Sequence, residues 1–136
     1  MTELRFSIEP HGAAMVVSVQ GELDVTSSQR FDDCLSEAAA ESDQVILDMS
    51  KVDFMDTTAL AVIVGHWRRH ADEGGQFVLA GARYRYTKAL WITGLADRLP
   101  MHETVGEALA ALAETGPGTA GGPGASEPDE PEATAG

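Results

Sequence analysis

One cysteine, Cys34, in 136 residues leaves no partner for an intrachain disulfide and no pair of thiolates for a structural metal. Set between Asp33 and Leu35 in a helical pattern, it reads as a small buried apolar residue and fits a reducing cytosol. Bases are scarce too: nine Lys and Arg against 22 acids give a net charge of -13, which disfavours nucleic acid and anionic lipid as partners. No apolar run approaches the ~20 residues of a bilayer span. The opening Met1-Thr2-Glu3-Leu4 lacks the basic stretch and apolar core of a secretory signal, so a cytoplasmic protein away from any membrane is expected. Absent as well are a Gly-rich phosphate loop, a nucleophile elbow and paired Cys/His ligands. An enzyme is therefore not expected, and no cofactor is called for.

What is present suits one compact α/β domain over residues 1–114, large enough to bury a core without staples. Leu4 to Glu9 and Met15 to Gln20 flank Pro10-His11-Gly12-Ala13, which predicts an opening hairpin. Thr26 with Gln29 matches a capping box ahead of a helix reaching about Ala40 through Phe31, Leu35 and Ala38. Val45-Ile46-Leu47, ending at Asp48, suits a strand covered on both faces and central in the sheet. From Leu60, Ile63, Val64, Trp67 and Ala71 keep helical spacing until Gly74-Gly75, and Phe77 to Ala80 reads as a further strand, parallel to the last. A third helix is expected over Arg83 to Ile92, an edge strand near Leu99 to His102, and a last helix from the box Thr104 and Glu107 through Leu112. The sum is a small mixed β-sheet of about four to five strands with about four helices packed on it. Residues 115–136 hold Gly, Pro, Ala, Thr, Ser and four acids without a large apolar residue, which predicts a disordered acidic tail.

The most informative segment is Phe54-Met55-Asp56-Thr57-Thr58-Ala59-Leu60, which sets a carboxylate and two hydroxyls where a strand gives way to an amphipathic helix. Asp56 or Thr57 can cap that helix by accepting from its free N–H groups. The same position suits a phosphoacceptor, because a helix N-terminus tolerates added negative charge. A phosphate ester there would burden a docked partner rather than the fold. Thr57 is the first choice and Thr58 the second. A receiver-type aspartyl phosphorylation site at Asp48, Asp53 or Asp56 is rejected: it needs an acidic pair for Mg²⁺ after the first strand and a suitably placed lysine, and Lys51 and Lys88 are the only lysines.

Other groups read more simply. His66 and His70 are four apart, but Trp67-Arg68-Arg69 between them favours a solvated helical face over a metal site. Arg83, Arg85 and Lys88 form a small basic group suited to a solvated face or to gripping an acidic partner. Trp67 and Trp91 are taken as core residues.

Val45-Ile46-Leu47-Asp48-Met49-Ser50 followed by Val52-Asp53-Phe54-Met55-Asp56-Thr57-Thr58-Ala59-Leu60 resembles the signature of the bacterial anti-sigma factor antagonists of the STAS domain family. Gly21-Glu22-Leu23-Asp24 and Thr93-Gly94-Leu95 resemble further motifs of that family, in the same order, so the likeness spans about residues 4 to 113. It implies a STAS-like fold and a binding switch. In its unphosphorylated form such a protein binds an anti-sigma factor, often itself a serine/threonine kinase, and frees the sigma factor. Phosphorylation of the first hydroxyl after the signature aspartate, here Thr57, ends binding, and a metal-dependent phosphatase resets it. Asp24, Asp56, Thr57 and Thr58 would frame the partner-binding surface. The chain departs from the commonest pattern in having Thr at 57, Thr at 58 and Ala59 where Gly is frequent. The alternatives are a STAS module that is never phosphorylated, acting as scaffold or small-ligand sensor, and a catalytic role for the acidic cluster.

Overall fold

A computed structural model of the chain describes residues 4–115. The tail expected from residue 115 onward lies outside that range apart from Thr115, which ends the last helix. Strand β1 (Arg5–His11) turns at Gly12, φ +63°, into β2 (Ala14–Leu23) and pairs with it antiparallel. Helix α1 (Ser28–Glu41), β3 (Gln44–Met55), α2 (Thr57–Asp72), β4 (Gln76–Ala80), α3 (Lys88–Ile92), β5 (Met101–His102) and α4 (Val105–Thr115) follow. The strands lie in the order β1-β2-β3-β4-β5, parallel from β2 onward, so β3 is central as its unbroken apolar run suggests.

Alternation along the strands builds two cores. Val17, Val19, Val45, Leu47, Phe77 and Leu79 face Phe31 and Leu35 of α1 and Leu60 and Ile63 of α2. Val16, Ile46, Val78 and Ala80 face the other way and are covered by Ala108 and Leu112 of α4. Because β4 pairs only with Gln44 to Asp48, the rest of β3, together with the end of β2, projects beyond it as a two-stranded extension. Chain leaving β4 closes over this extension: Gly81, φ +71°, lies so close to Ser50 that a Cβ would stand 2.9 Å from the serine Cβ.

Three expectations are corrected. The helix anticipated over Arg83 to Ile92 is two pieces, a 3-10 turn at Tyr84–Tyr86 and the five-residue α3, divided at Thr87. The Thr87 hydroxyl donates to the Arg83 carbonyl at 2.7 Å, the kind of local bond by which a threonine competes with helix continuation. So short a helix commits Leu90 to the core and leaves Trp91 39 % exposed, not buried. The capping box at Thr26 does not form either, since α1 begins one residue later with Ser27 at its N-cap and no side-chain cap. Finally, His66 and His70 are 1 % and 5 % exposed and do not lie on a solvated face. Packing of α1 against one flank of α2 and of Phe77 against both imidazoles encloses them.

His66 Nε2 lies 2.6 Å from Asp32 Oδ1, and His70 Nδ1 donates to the His66 carbonyl at 2.9 Å. His66 Nδ1 is buried without a hydrogen-bond partner among the described residues. Burial pushes the His66 pKa down, the Asp32 hydrogen bond and charge pull it up, and Arg69 and His70 push it down again, with a net lowering. The ring is thus neutral near pH 7, with Nε2–H donating to Asp32. A folded pKa below the unfolded value means that the unfolded chain binds the proton more readily, so this site's stability is full above about pH 6.5 and is lost as pH falls. Urea titrations should show that loss between pH 7 and 5, and His66→Gln should flatten it over the same window. Asp32→Ala, which leaves both ring nitrogens unpartnered, should lower stability at pH 7 by ~1–3 kcal/mol.

Candidate functional site: the strand-to-helix corner at Thr57

The two-stranded extension carries the candidate residues to one end of the sheet. Leu23 pairs with Met55, the last residues of β2 and β3, and the Asp56 N–H donates to the Leu23 carbonyl at 3.0 Å. Asp24 and Asp56 therefore leave adjacent strand ends side by side. Asp56 has extended backbone and is the N-cap of α2, its Oδ1 accepting from the Ala59 N–H at 3.1 Å. That bond satisfies one of the four free N–H groups of the first turn, a contribution of about 1 kcal/mol for such a cap. Of the two residues expected to cap α2, Asp56 does so.

Thr57 is thereby released from capping. It is the first residue of α2 and is exposed, whereas Thr58 is half-buried. The more exposed of the two threonines is thus Thr57, the first choice for a phosphoacceptor. It stands on the open N-terminal turn, where the partial positive charge of the helix favours an anion.

Asp24 organises the neighbouring loop. Its Oδ1 accepts from the Thr26 hydroxyl at 2.6 Å and the Thr26 N–H at 3.0 Å, while the Asp24 N–H donates to Ser27 Oγ at 3.0 Å. The Thr26 hydroxyl bond is the main reason that the Asp24 carboxyl is held below its ordinary pKa, so it remains a carboxylate throughout the neutral range. These bonds also explain the lost capping box: Asp24 takes the Thr26 hydroxyl that the box would have used. The loop so folded turns Val25 outward.

Two apolar residues not anticipated as part of the site complete it. Val25 is 66 % exposed and Phe54 49 % exposed, one beside Asp24 and the other two residues before Asp56. Strand alternation gives no signal for Phe54, because the buried positions of β3 change phase between Met49 and Val52 and again between Val52 and Met55. Tyr84, Trp91 and Ile92 are the other large hydrophobic side chains exposed among the described residues, and they belong to the segment that follows β4. Val25 and Phe54 thus lie at the C-terminal ends of the neighbouring strands β2 and β3, the end that carries Thr57. Exposed apolar side chains edged by carboxylates, as Val25 and Phe54 are by Asp24 and Asp56, have the composition that suits protein docking.

Comparison with known proteins agrees with this architecture. Residues 5–108 match the STAS domain. The anti-sigma-F factor antagonist RsfA of Mycobacterium tuberculosis is 26 % identical over 111 residues, which cover 79 % of this chain and 87 % of that protein. In fold, the chain is similar to an anti-sigma factor antagonist from Mycobacterium paratuberculosis, with a TM-score of 0.74 at 22 % identity over 82 % of this chain and 95 % of the other. It is also similar to the Bacillus cell fate determinant SpoIIAA in its phosphorylated form, with a TM-score of 0.61 at 22 % identity, covering 79 % of this chain and 98 % of the other. The relatives so named are regulatory proteins rather than enzymes, and no helix among the described residues is long and apolar enough to cross a membrane. With a family match that takes in every strand and the motifs at both strand ends, the chain belongs to the STAS domain family.

Proposed function

We propose that this protein is a cytoplasmic anti-sigma factor antagonist that binds an anti-sigma factor through the Asp24, Val25, Phe54, Asp56 and Thr57 corner, with Thr58 at its margin, and so releases a sigma factor. Phosphorylation of Thr57 switches the binding off. The observation that carries the reading is that Val25 and Phe54, both exposed, stand at the end of the sheet where an exposed threonine opens a helix. The name borne by RsfA and the phosphorylated state of SpoIIAA support it. In the modifying step the anti-sigma factor acts as an ATP-dependent kinase. Thr57 Oγ1 attacks the γ-phosphorus, its proton passes to a base of the kinase, and ADP leaves. A metal-dependent phosphatase returns the hydroxyl by hydrolysis.

Incubation with candidate kinase anti-sigma factors and ATP, followed by peptide mass spectrometry, is expected to locate phosphate on Thr57 and not on Thr58. Phosphate on Thr58 alone, or on neither with a kinase that binds tightly, would overturn the assignment. Among the clefts of the described residues that a ligand sensor could use, the most apolar, about 260 Å³, is lined by Trp67, Phe77, Pro100, His102 and Leu112 among others. It lies against β4, β5 and α4, away from the Thr57 corner, and its lining includes no carboxylate and no Lys or Arg to orient a charged ligand.

A further inference from the structure

The charges of this chain are segregated. Residues 83–98 carry four bases, Arg83, Arg85, Lys88 and Arg98, against the single acid Asp97, whereas the rest of residues 4–115 carries five bases against sixteen acids. All four bases are exposed. They accompany Trp91 and Tyr84, packed edge to face at 5.8 Å, and Ile92, 75 % exposed. The surface is thus basic and aromatic in a protein of net charge -13.

Chain beyond Thr115 has the opposite character: Glu127, Asp129, Glu130 and Glu132 with no base. Its starting point disfavours staying where it emerges. Helix α4 begins beside the C-terminal end of β4 and runs back, so that Ala113 shares a cleft with His11 to Ala14 and Gln44 at the far end of the sheet. Exposed acids crowd that end: Glu41 and Asp43 before β3, Asp72 and Glu73 before β4, and Glu114 itself. Like charges repel the segment there, and the basic strip begins at the opposite end, where the chain leaves β4.

We infer that the acidic segment Glu127 to Glu132 folds back on its own domain and docks on the basic, aromatic surface of residues 83–98. The length allows it. The twelve steps from Thr115 to Glu127 reach ~40 Å when extended, and retracing the 11 residues of α4 uses ~16 Å of that. A tether this short holds the acids at about millimolar effective concentration, so a contact of only ~1 mM intrinsic affinity is about half formed. Contacts between exposed charges are screened by salt, and the docking is lost at high ionic strength. This inference does not depend on what binds at Thr57.

Paramagnetic broadening in the full chain tests it. Ser126→Cys accepts a spin label selectively, because Cys34 is buried and its thiol is pushed up to about 11. At low salt the amides of residues 83–98 and the Trp91 indole should broaden, and should recover in high salt. They should also recover when Glu127→Gln, Asp129→Asn, Glu130→Gln and Glu132→Gln are combined, or when Lys88→Glu and Arg98→Glu are combined. Broadening that is absent or centred on Arg5 and Lys51 or on Arg68 and Arg69 would overturn the inference. So would broadening that appears only between molecules when labelled and isotope-enriched proteins are mixed.

Discussion

Thr57→Glu is expected to weaken binding of the cognate anti-sigma factor by a hundredfold or more in calorimetry, while Thr57→Ala stays within about tenfold of the parent. The asymmetry comes from where the charge sits. In the free protein a carboxylate at the first residue of α2 is exposed and faces the positive end of the helix, which favours it by ~0.3–1 kcal/mol. In the complex the same charge enters a surface bearing Val25 and Phe54, beside the ionised Asp24 and the capping Asp56. Desolvating an unpaired charge there costs several kcal/mol, and each ~1.4 kcal/mol is a factor of ten in affinity. Stability and binding should therefore move in opposite directions. The urea midpoint of Thr57→Glu should equal or exceed that of the parent. Tight binding by the Glu variant, or a loss of stability equal to its loss of binding, would remove the basis for a switch at this corner.

Features set by backbone chemistry within a few residues are legible in the amino-acid sequence. Asp56 at the cap of α2, the break at Gly74-Gly75 and the hairpin at Gly12 each follow from a local hydrogen bond or a backbone angle. So does the start of α4, where Glu107 N–H donates to Thr104 Oγ1 at 3.0 Å, although Glu107 Oε1 accepts from the Glu103 N–H rather than from that of Thr104. Local patterns mislead where a competing partner decides. Gln29 bonds Asp33 and not Thr26, because Asp24 takes the threonine hydroxyl. His66 and His70 carry polar neighbours in sequence, yet α1 supplies Asp32 from 34 positions away and β4 supplies Phe77. The exposure of Phe54 depends on the register of β2 on β3 beyond Asp48, where two irregularities shift the pairing. Helical or strand periodicity carries no information about such shifts, which is why the carboxylates and hydroxyls of the site can be read from the sequence and its apolar half cannot.

Phe31→Ala is expected to lower unfolding free energy by ~3–5 kcal/mol and leave the partner affinity of the remaining folded protein within a few-fold of the parent. Phe31 is fully buried, and its ring stacks on Phe6 of β1 at 6.2 Å, with the Arg30 guanidinium 5.5 Å from the Phe6 centroid on the outside. It joins α1 to the hairpin edge of the sheet. Truncation leaves a void bounded by strands whose pairing prevents collapse, so the lost transfer free energy and the cavity penalty both apply in full. For a domain of this size, each kcal/mol corresponds to ~4–8 °C in Tm, so a fall of about 15–30 °C is expected. A loss of that size is a large share of a typical stability of ~5–15 kcal/mol. The Thr57 corner is held by other means: the Asp56 cap, the Leu23–Asp56 bond and the packing of Ala59 and Leu60. The Phe31 variant should therefore show the reverse pattern to Thr57→Glu, with stability lost and binding kept. A Phe31→Ala protein that melts within a few degrees of the parent would mean that α1 is not anchored as described. One that stays folded but fails to bind would mean that the docking surface extends along α1.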